Sequence, residues 1–382
     1  MLFAGDCPPF LGPFCYGGAW RSVRSVVVGH RTLAGAALSL HAGFLRRVSG
    51  PRLFTDPVLT WRIEDMSAAP AIEVNDLVFH YGDRTALDKI SFSVERGEIF
   101  GLLGPNGGGK TTLFRILSTL LSPDAGSAKV AGFDVSEQPL DVRKSIGVVF
   151  QNQSLDRRLT ALENLIHQGH LYGLRGAALD ARIDSLLRRL GLEDRRNDVV
   201  DTLSGGLKRR VELAKGLIHN PALLLLDEPS TGVDPGARLD FWEYLQLLRR
   251  HEGITVLLTT HLLEEADKCD RLAILDKGSL VAEGTPRGLK QQIGGDVVVI
   301  LTSQDSNKLS GEISQQFELE STIVNGSVRF EHPKGAELVA RLMQALPDQI
   351  DSVTVSHPTL EDVFIHMTGH RFGEAESAGD QA

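Results

Sequence analysis

The stretch GPNGGGKTT, at positions 104–112, constrains the fold of this 382-residue chain more than any other part of its sequence. It follows the apolar run IFGLLG (99–104) and precedes the helix-like run TTLFRILSTL (111–120). The spacing G-x-x-x-x-G-K-T between a strand and a helix predicts a loop whose backbone N–H groups surround a phosphate. Lys110 is expected to reach the outer phosphates, and the hydroxyl of Thr111 is expected to bind Mg²⁺.

Short apolar runs alternate with longer helical patterns from Ile72 to about Gly284. The clearest runs are LLLLD (223–227), TVLLT (255–259) and LAIL (272–275). Continuous apolar runs are typical of strands that are covered on both faces, so this region predicts a largely parallel, helix-flanked α/β sheet. Residues 72–98 alternate more between apolar and polar side chains and predict additional antiparallel strands.

Two acidic residues stand at the end of the predicted strand LLLLD. Asp227 is expected to hold Mg²⁺, and Glu228 is expected to polarise a water for attack on a γ-phosphate. An Asp-Glu pair after a strand is more often the start of a solvated loop, but the phosphate loop upstream favours the catalytic interpretation. His261, which follows the run TVLLTT, is a candidate γ-phosphate contact, although a histidine there is by itself more often structural.

Taken together, these residues resemble the ATP-binding cassette (ABC) family, specifically the ATPase subunit of a transporter. The resemblance implies that Tyr81 stacks on adenine, that Gln151 senses Mg²⁺ and the transport partner, and that His261 is a switch histidine. The nucleotide-binding residues that it implies are Tyr81, Gly104, Pro105, Asn106, Gly107, Gly108, Gly109, Lys110, Thr111, Thr112, Ser204, Gly205, Gly206 and Asp234. The catalytic residues that it implies are Glu228, His261 and Gln151, and the Mg²⁺ ligands are Thr111, Gln151 and Asp227.

A second glycine-rich stretch, LSGGLKRR (203–210), is similar to the family signature. In the family, the signature of one cassette closes over the ATP held by a second cassette. The resemblance therefore implies that Ser204–Gly206 contacts the γ-phosphate of a partner subunit, which is a second copy of this chain or a close paralogue. Asp234 would lie in the subunit-coupling loop. The basic run at 208–210 is more typical of a solvated helix face than of direct phosphate binding.

Beyond a hinge near 285–295 the residue pattern changes. It predicts the order strand, helix, strand, strand, helix, strand over 296–356, with a hairpin at Asn325-Gly326, and hence a small α+β ferredoxin-like domain. A last helix is predicted to begin at Thr359. The stretch SHPTLEDVFIHMTGH (356–370) is similar to the tail of ATPases that are paired with ABC-2-type export permeases, a group that includes drug-resistance exporters.

The sequence divides into four predicted segments. They are a poorly patterned N-terminal extension (1–66), the P-loop cassette with a mixed sheet and a helical subdomain (67–290), the accessory domain (291–370) and a disordered tail (371–382). The first 65 residues contain seven arginines and no lysine. Three interpretations of this extension stay open: a start codon placed too early, with Met66 as the true first residue; an arginine-rich targeting segment; and a functional extension.

Charge and hydropathy limit the partners of the chain. The formal net charge of -9 argues against nucleic acid as a main partner. No stretch reaches the roughly 18–20 uninterrupted apolar residues of a spanning helix, so the chain is not expected to cross a membrane by itself. The resemblance instead implies a cytoplasmic protein that an integral-membrane permease holds at the inner face of the plasma membrane. Within 152–174, Leu155 and Leu159 either line the groove that receives the permease or lie buried in the helical subdomain.

The function implied by the resemblance is that of a Mg²⁺-dependent ATPase that dimerises on ATP and drives an ABC-2-type permease, for export. An alternative is a soluble cassette ATPase that acts as a conformational switch in DNA repair or translation. Repair relatives carry a long coiled coil between the phosphate loop and the signature, and translation relatives carry two cassettes; neither feature is present in the sequence. A nucleotide-binding scaffold without turnover is a third hypothesis, which a phosphate-release assay distinguishes.

Overall fold

The structure is a computed structural model and describes residues 69–372. The first elements are β1 (Ile72–Tyr81), β2 (Arg84–Val94), β3 (Ile99–Leu103), α1 (Lys110–Leu117), β4 (Ala125–Val130), β5 (Phe133–Asp134), α2 (Pro139–Ser145) and β6 (Ile146–Val149). They are followed by α3 (Ala161–Leu171), α4 (Gly176–Arg189), α5 (Gly205–Leu217), β7 (Leu223–Asp227), α6 (Pro235–Glu252), β8 (Thr255–Thr260), α7 (Leu263–Ala266), β9 (Arg271–Asp276), β10 (Ser279–Gly284) and α8 (Pro286–Gln291). The last elements are β11 (Asp296–Leu301), α9 (Ser306–Phe317), β12 (Thr322–Val324), β13 (Ser327–His332), α10 (Gly335–Ala345), β14 (Ser352–Ser356) and α11 (Leu360–Thr368).

A six-stranded sheet in the order β10-β9-β3-β8-β7-β6 lies at the centre of the cassette. Neighbouring strands are parallel except for the β9–β10 hairpin. Every residue of β3, β7 and β8 is buried, as expected for strands that are covered on both faces. The predicted parallel sheet is therefore confirmed, and the carboxyl ends of β3, β7 and β8 meet at one edge.

A second, antiparallel sheet packs against the first one through α1. Its order is β2-β1-β4-β5, which confirms the antiparallel strands predicted from residues 72–98. One hydrophobic cluster joins the inner faces of β1 and β2, the buried side of α1 and one face of the central sheet. Because α1 is held on both sides, the loop that precedes it has a fixed position.

Helices α3, α4 and α5 pack beside the central sheet and share a hydrophobic cluster with α6. Helix α3 begins with a capping box: Glu163 N–H donates to the Thr160 side chain, and the Glu163 carboxylate accepts from Thr160 N–H. Leu155 belongs to this cluster and is buried, whereas Leu159 is half-buried. Burial in the helical subdomain, rather than exposure in a groove, is therefore the role of Leu155.

The four strands β11 to β14 form a separate antiparallel sheet in the order β12-β13-β11-β14. The element order is the predicted one, and Asn325 and Gly326 form the β12–β13 turn with φ angles of 50° and 76°. Helices α9 and α10 share a hydrophobic cluster with one face of the sheet. Val297 of β11 instead joins a cluster with α8, α11 and the cassette strands, so both parts of the chain contribute to that core.

The predicted N-terminal extension, 1–66, and residues 373–382 of the predicted tail lie outside the described residues. Phe372, near the end of the described part, packs edge-to-face on Phe364 with ring centroids 4.9 Å apart. Across 69–372, no helix combines the length and the apolar character that crossing a membrane requires.

Candidate active site

The glycine-rich stretch forms the turn from β3 into α1. Gly107 and Gly109 have φ angles of 75° and 103°, which glycine adopts without the steric cost that other residues meet. Gly109 is the N-cap of α1, and a Cβ atom there would lie 2.9 Å from the Ala86 carbonyl oxygen. The N-terminus of α1, which carries a partial positive charge, therefore points into the space in front of the loop.

Lys110 folds back over this loop from the first position of α1. Its Nζ donates to the carbonyl oxygens of Gly104, at 2.8 Å, and Pro105, at 2.9 Å. The side chain is 4% exposed, and Nζ lies 3.9 Å from Glu228 Oε1. A buried ammonium group of this kind attracts an anion at the mouth of the loop because little water screens its charge.

A cavity of about 310 Å³ opens in front of the loop. The predicted site residues that line it are Tyr81, Asn106, Gly107, Gly109, Lys110, Thr111, Thr112, Gln151 and Glu228. Tyr81 is 45% exposed and its ring contacts Phe79 edge-to-face, which leaves ring surface for stacking at the cavity edge. Gly104, Pro105 and Gly108 belong to the loop but do not line the cavity.

Several polar side chains meet at the Glu228 carboxylate. Its Oε2 accepts from Gln151 Nε2 at 3.1 Å and from the Thr231 hydroxyl at 3.2 Å. His261 Nδ1 lies 3.2 Å from the same oxygen but is not aligned for a hydrogen bond. Glu228 has a φ of 43°, a left-handed backbone conformation that costs free energy in a non-glycine residue. The structure thus brings together the three residues that sequence reasoning assigned to catalysis.

Asp227 is the last residue of β7 and is buried. Burial raises the pKa of its carboxyl group, a hydrogen bond from Thr259 opposes this shift, and the Glu228 charge adds to it. The Thr259 hydroxyl donates to Asp227 Oδ1 at 2.6 Å and accepts from the Glu228 N–H at 2.9 Å. One hydroxyl therefore orients both acidic residues, a role that the sequence pattern did not indicate.

Two residues of the cavity lining and the buried Asp227, which precedes Glu228, offer oxygen ligands that fit Mg²⁺. Thr111 offers a hydroxyl, Gln151 an amide oxygen and Asp227 a carboxylate, and hard oxygen ligands are those that Mg²⁺ prefers. Mg²⁺ usually takes only one or two protein ligands and completes its shell with phosphate oxygens and water. A set of this composition would suit a metal that is bound together with a phosphorylated substrate.

Arg209 corrects the prediction that the basic run at 208–210 is one solvated helix face. Its side chain is 6% exposed, because α5 directs it into the protein. The guanidinium donates to the backbone carbonyls of Phe150, Asp227 and Pro229, and to the Glu212 carboxylate. Arg209 therefore ties α5 to the backbone beside Gln151 and on both sides of Glu228.

The signature residues lie outside the cavity of their own chain. Ser204 is exposed and caps α5, where its hydroxyl accepts from Leu207 N–H at 3.3 Å. Gly205 is exposed and Gly206 is buried. Asp234 is exposed and caps α6. None of the four lines this cavity.

Two cationic residues in the lining were missed by sequence reasoning, namely Arg84 and Arg115. Arg115 stands four positions after Thr111 on α1, and positions i and i+4 share one face of a helix. This spacing could have predicted that Arg115 lies on the same side of α1 as Thr111. Arg84 opens β2, and its guanidinium is 3.6 Å from the point where a Gly107 Cβ would lie, a proximity that only the folded β1–β2 hairpin creates.

Comparison with known proteins identifies the family. A family model described as ABC transporter matches residues 87–231. The daunorubicin resistance ATP-binding protein DrrA3 of Streptomyces coeruleorubidus is 40% identical over 311 residues, which cover 79% of this chain and 97% of that protein. The chain belongs to the ATP-binding cassette transporter family. A Nod factor export ATP-binding protein I of Rhizobium etli is 39% identical over 313 residues, covering 81% of this chain and 96% of that protein.

The cassette fold has solved counterparts. The ATP-binding cassette MJ0796, in a dimeric post-hydrolysis state bound to ADP and Pi, superimposes with a TM-score of 0.51 and 27% identity. The match covers 56% of this chain and 98% of that one. The predicted ABC cassette with its mixed sheet is therefore confirmed, and the relatives favour a transporter subunit over a soluble conformational switch.

Proposed function

We propose that this chain is the ATP-hydrolysing subunit of an ABC exporter. The observation that carries the proposal is the position of Glu228, a buried carboxylate that Gln151 and Thr231 orient at the edge of a cavity holding Lys110. A carboxylate that faces the phosphate-binding loop is suited to take a proton from a water that attacks the outermost phosphate.

The other site residues then have separate tasks. Tyr81 stacks on the adenine, and Asn106, the loop N–H groups, Lys110 and Thr112 bind the phosphates. His261 contacts the γ-phosphate from the end of β8. Thr111, Asp227 and Gln151 hold Mg²⁺, which when bound supplies positive charge to the phosphate oxygens. Thr259 and Arg209 keep the two acidic residues in place through the hydrogen bonds described above.

The exposed signature supports a dimer as the active form. Ser204, Gly205, Gly206 and Asp234 would face the ATP of a second copy or of a close paralogue, because they do not line the cavity of their own chain. A dimeric structure bound to ADP and Pi, that of the MJ0796 cassette, is consistent with such an assembly. In this arrangement ATP joins the two chains, and hydrolysis removes the charge that both contact.

The membrane partner is proposed to be an ABC-2-type permease, which would hold the chain at the cytoplasmic face of the plasma membrane. The names of the relatives, daunorubicin resistance and Nod factor export, support export as the direction of transport. Leu171 and Tyr172 are exposed apolar residues at the end of α3, where the permease would dock. With a net charge of -9, nucleic acid is not a proposed partner.

Residues 291–370 are proposed to form a ferredoxin-like accessory domain of the cassette at 67–290. The order β12-β13-β11-β14, with two helices on one face of an antiparallel sheet, supports this assignment.

Removal of Mg²⁺ tests the proposed activity. The purified chain, alone or with its permease, is expected to release inorganic phosphate from ATP in Mg²⁺ and to lose at least about 99% of that rate in excess EDTA, because metal charge stabilisation contributes several kcal/mol. Phosphate release is measured with readded Mg²⁺ as the control. A chain that binds ATP but releases no phosphate under any of these conditions would be a scaffold, not an ATPase.

A further inference from the structure

The C-terminal helix α11 packs behind the phosphate-binding loop. Its Val363 and Phe364 share one hydrophobic cluster with Leu103, the last residue of β3, and with Ile274 of β9. Leu103 immediately precedes Gly104, where the loop begins. The far end of the chain and the nucleotide-binding loop are thus supported by the same core.

A polar contact extends this support beyond the end of α11. His370 Nε2 lies 3.0 Å from Asp276 Oδ2, and Nδ1 lies 3.2 Å from the Arg371 carbonyl oxygen. Both ring nitrogens therefore lie within hydrogen-bond distance of an oxygen atom. Asp276 is 8% exposed, and its Oδ1 has no hydrogen-bond partner within residues 69–372. Within the described residues, the contact with His370 therefore offsets the free-energy cost of burying the Asp276 carboxylate.

Asp276 leads directly into a turn that touches the loop. Lys277 and Gly278, with φ angles of 47° and 82°, form the two-residue turn between β9 and β10. Gly278 N–H donates to the Gly108 carbonyl oxygen at 3.1 Å, and the Gly278 carbonyl accepts from Asp88 N–H at 2.8 Å. The turn is therefore bonded to the phosphate-binding loop on one side and to β2 on the other.

The packing around this turn leaves little room for independent movement. A Cβ atom at Gly278 would lie 2.7 Å from the Ala86 carbonyl oxygen, and one at Gly108 would lie 3.2 Å from the Leu275 carbonyl oxygen. Close-packed elements of this kind transmit displacements to their neighbours. A shift of Asp276 would therefore move the backbone of Gly108.

We propose that His370 is a positioning residue for nucleotide binding: its hydrogen bond to Asp276 holds the β9–β10 turn against the phosphate-binding loop, and so couples the C-terminal part of the chain to ATP affinity. This inference rests on the proposed function, in which the cavity at Lys110 binds ATP. It gives the C-terminal region a role in the site that is separate from any contact with a permease.

The test separates the hydrogen bond of His370 from the packing of its ring, which lies edge-to-face on Phe364 at 5.3 Å. His370→Phe keeps an aromatic ring but lacks the donor, whereas His370→Gln keeps a donor at a similar reach but lacks the ring. In the full-length chain, the fluorescent analogue mant-ATP is expected to bind His370→Phe about three- to tenfold more weakly, the range for one lost hydrogen bond. His370→Gln is expected to bind within about twofold of the wild type.

Two further measurements complete the test. His366→Phe is the matched control, because His366 lies on α11 and its Nδ1 is 3.0 Å from Glu331 within the C-terminal part; its affinity is expected to be unchanged. In steady-state ATPase assays, His370→Phe is expected to raise KM with little change in kcat. Wild-type affinity in His370→Phe, or equal losses in both His370 variants, would overturn the inference. A wild-type chain that does not bind mant-ATP would instead contradict the proposed function.

Discussion

Glu228→Gln is expected to lower ATP hydrolysis by about 10²- to 10⁴-fold, the contribution of a general base, while ATP still binds. The amide has the shape of the carboxylate but cannot take a proton from water. Its carbonyl oxygen can still accept from the Thr231 hydroxyl, which now bonds Glu228 Oε2 at 3.2 Å. Phosphate release measures hydrolysis, and mant-ATP fluorescence measures binding in the same preparation.

Glu264→Gln is the control for this experiment, because Glu264 is an exposed glutamate on the nearby α7. Its hydrolysis rate is expected to equal that of the wild type. If Glu228→Gln hydrolyses ATP at the parental rate, Glu228 is not the base. If it loses ATP binding together with hydrolysis, the carboxylate supports the pocket rather than the chemistry.

Lys110→Ala is expected to weaken ATP binding by about 10- to 100-fold, because hydrogen bonds to charged groups contribute about 1.5–3 kcal/mol. The substitution removes the buried ammonium that lies at the mouth of the loop. It also leaves the carbonyl oxygens of Gly104 and Pro105, which Nζ now bonds at 2.8 and 2.9 Å, without this donor. Titration with mant-ATP gives the dissociation constant.

Thermal unfolding of Lys110→Ala distinguishes lost affinity from lost folding. Lys144→Ala is the control, because Lys144 is an exposed lysine that pairs with Asp141 on α2 and lies outside the cavity. It is expected to bind ATP as the wild type does. A folded Lys110→Ala chain with undiminished ATP affinity would contradict the assignment of 104–112 as the phosphate-binding loop.

The parts of the fold that follow local patterns could be predicted from the sequence. The apolar runs at 99–103 and 223–227 became fully buried strands, and the Asn325-Gly326 pair became a hairpin turn. The capping boxes of α3 and α11, begun by Thr160 and Thr359, are present as hydrogen bonds. In each case the interaction that determines the structure joins residues that are close in sequence. Local sequence patterns can predict interactions of this kind.

Contacts between distant segments could not be predicted in this way. Arg209 bonds the carbonyls of Phe150 and Pro229, and nothing in the run LKRR distinguishes it from its half-buried neighbours Lys208 and Arg210. Arg209 is buried because α5 packs against the loops after β6 and β7. This packing is tertiary structure, which the local sequence does not specify. His370 and Asp276 are 94 positions apart in the sequence, and periodicity could not predict their contact either.

We propose that ATP joins two copies of the chain, each of which contributes its signature to the pocket of the other. Ser204→Glu tests it most directly, because Ser204 is exposed and does not line the cavity of its own chain. The added charge would repel the γ-phosphate of the partner's ATP but would leave the pocket of its own chain intact. Ser136→Glu, at an exposed site after β5, is the control for added charge.

The measurement is native mass spectrometry of the Glu228→Gln chain with ATP, in which hydrolysis does not remove the nucleotide. We predict a species of twice the 41.6 kDa chain mass that carries two ATP molecules, both for Glu228→Gln and with Ser136→Glu added. With Ser204→Glu added instead, we predict single chains that each hold one ATP. A double-mass species that persists with Ser204→Glu, or single chains that lose ATP, would contradict the shared pocket.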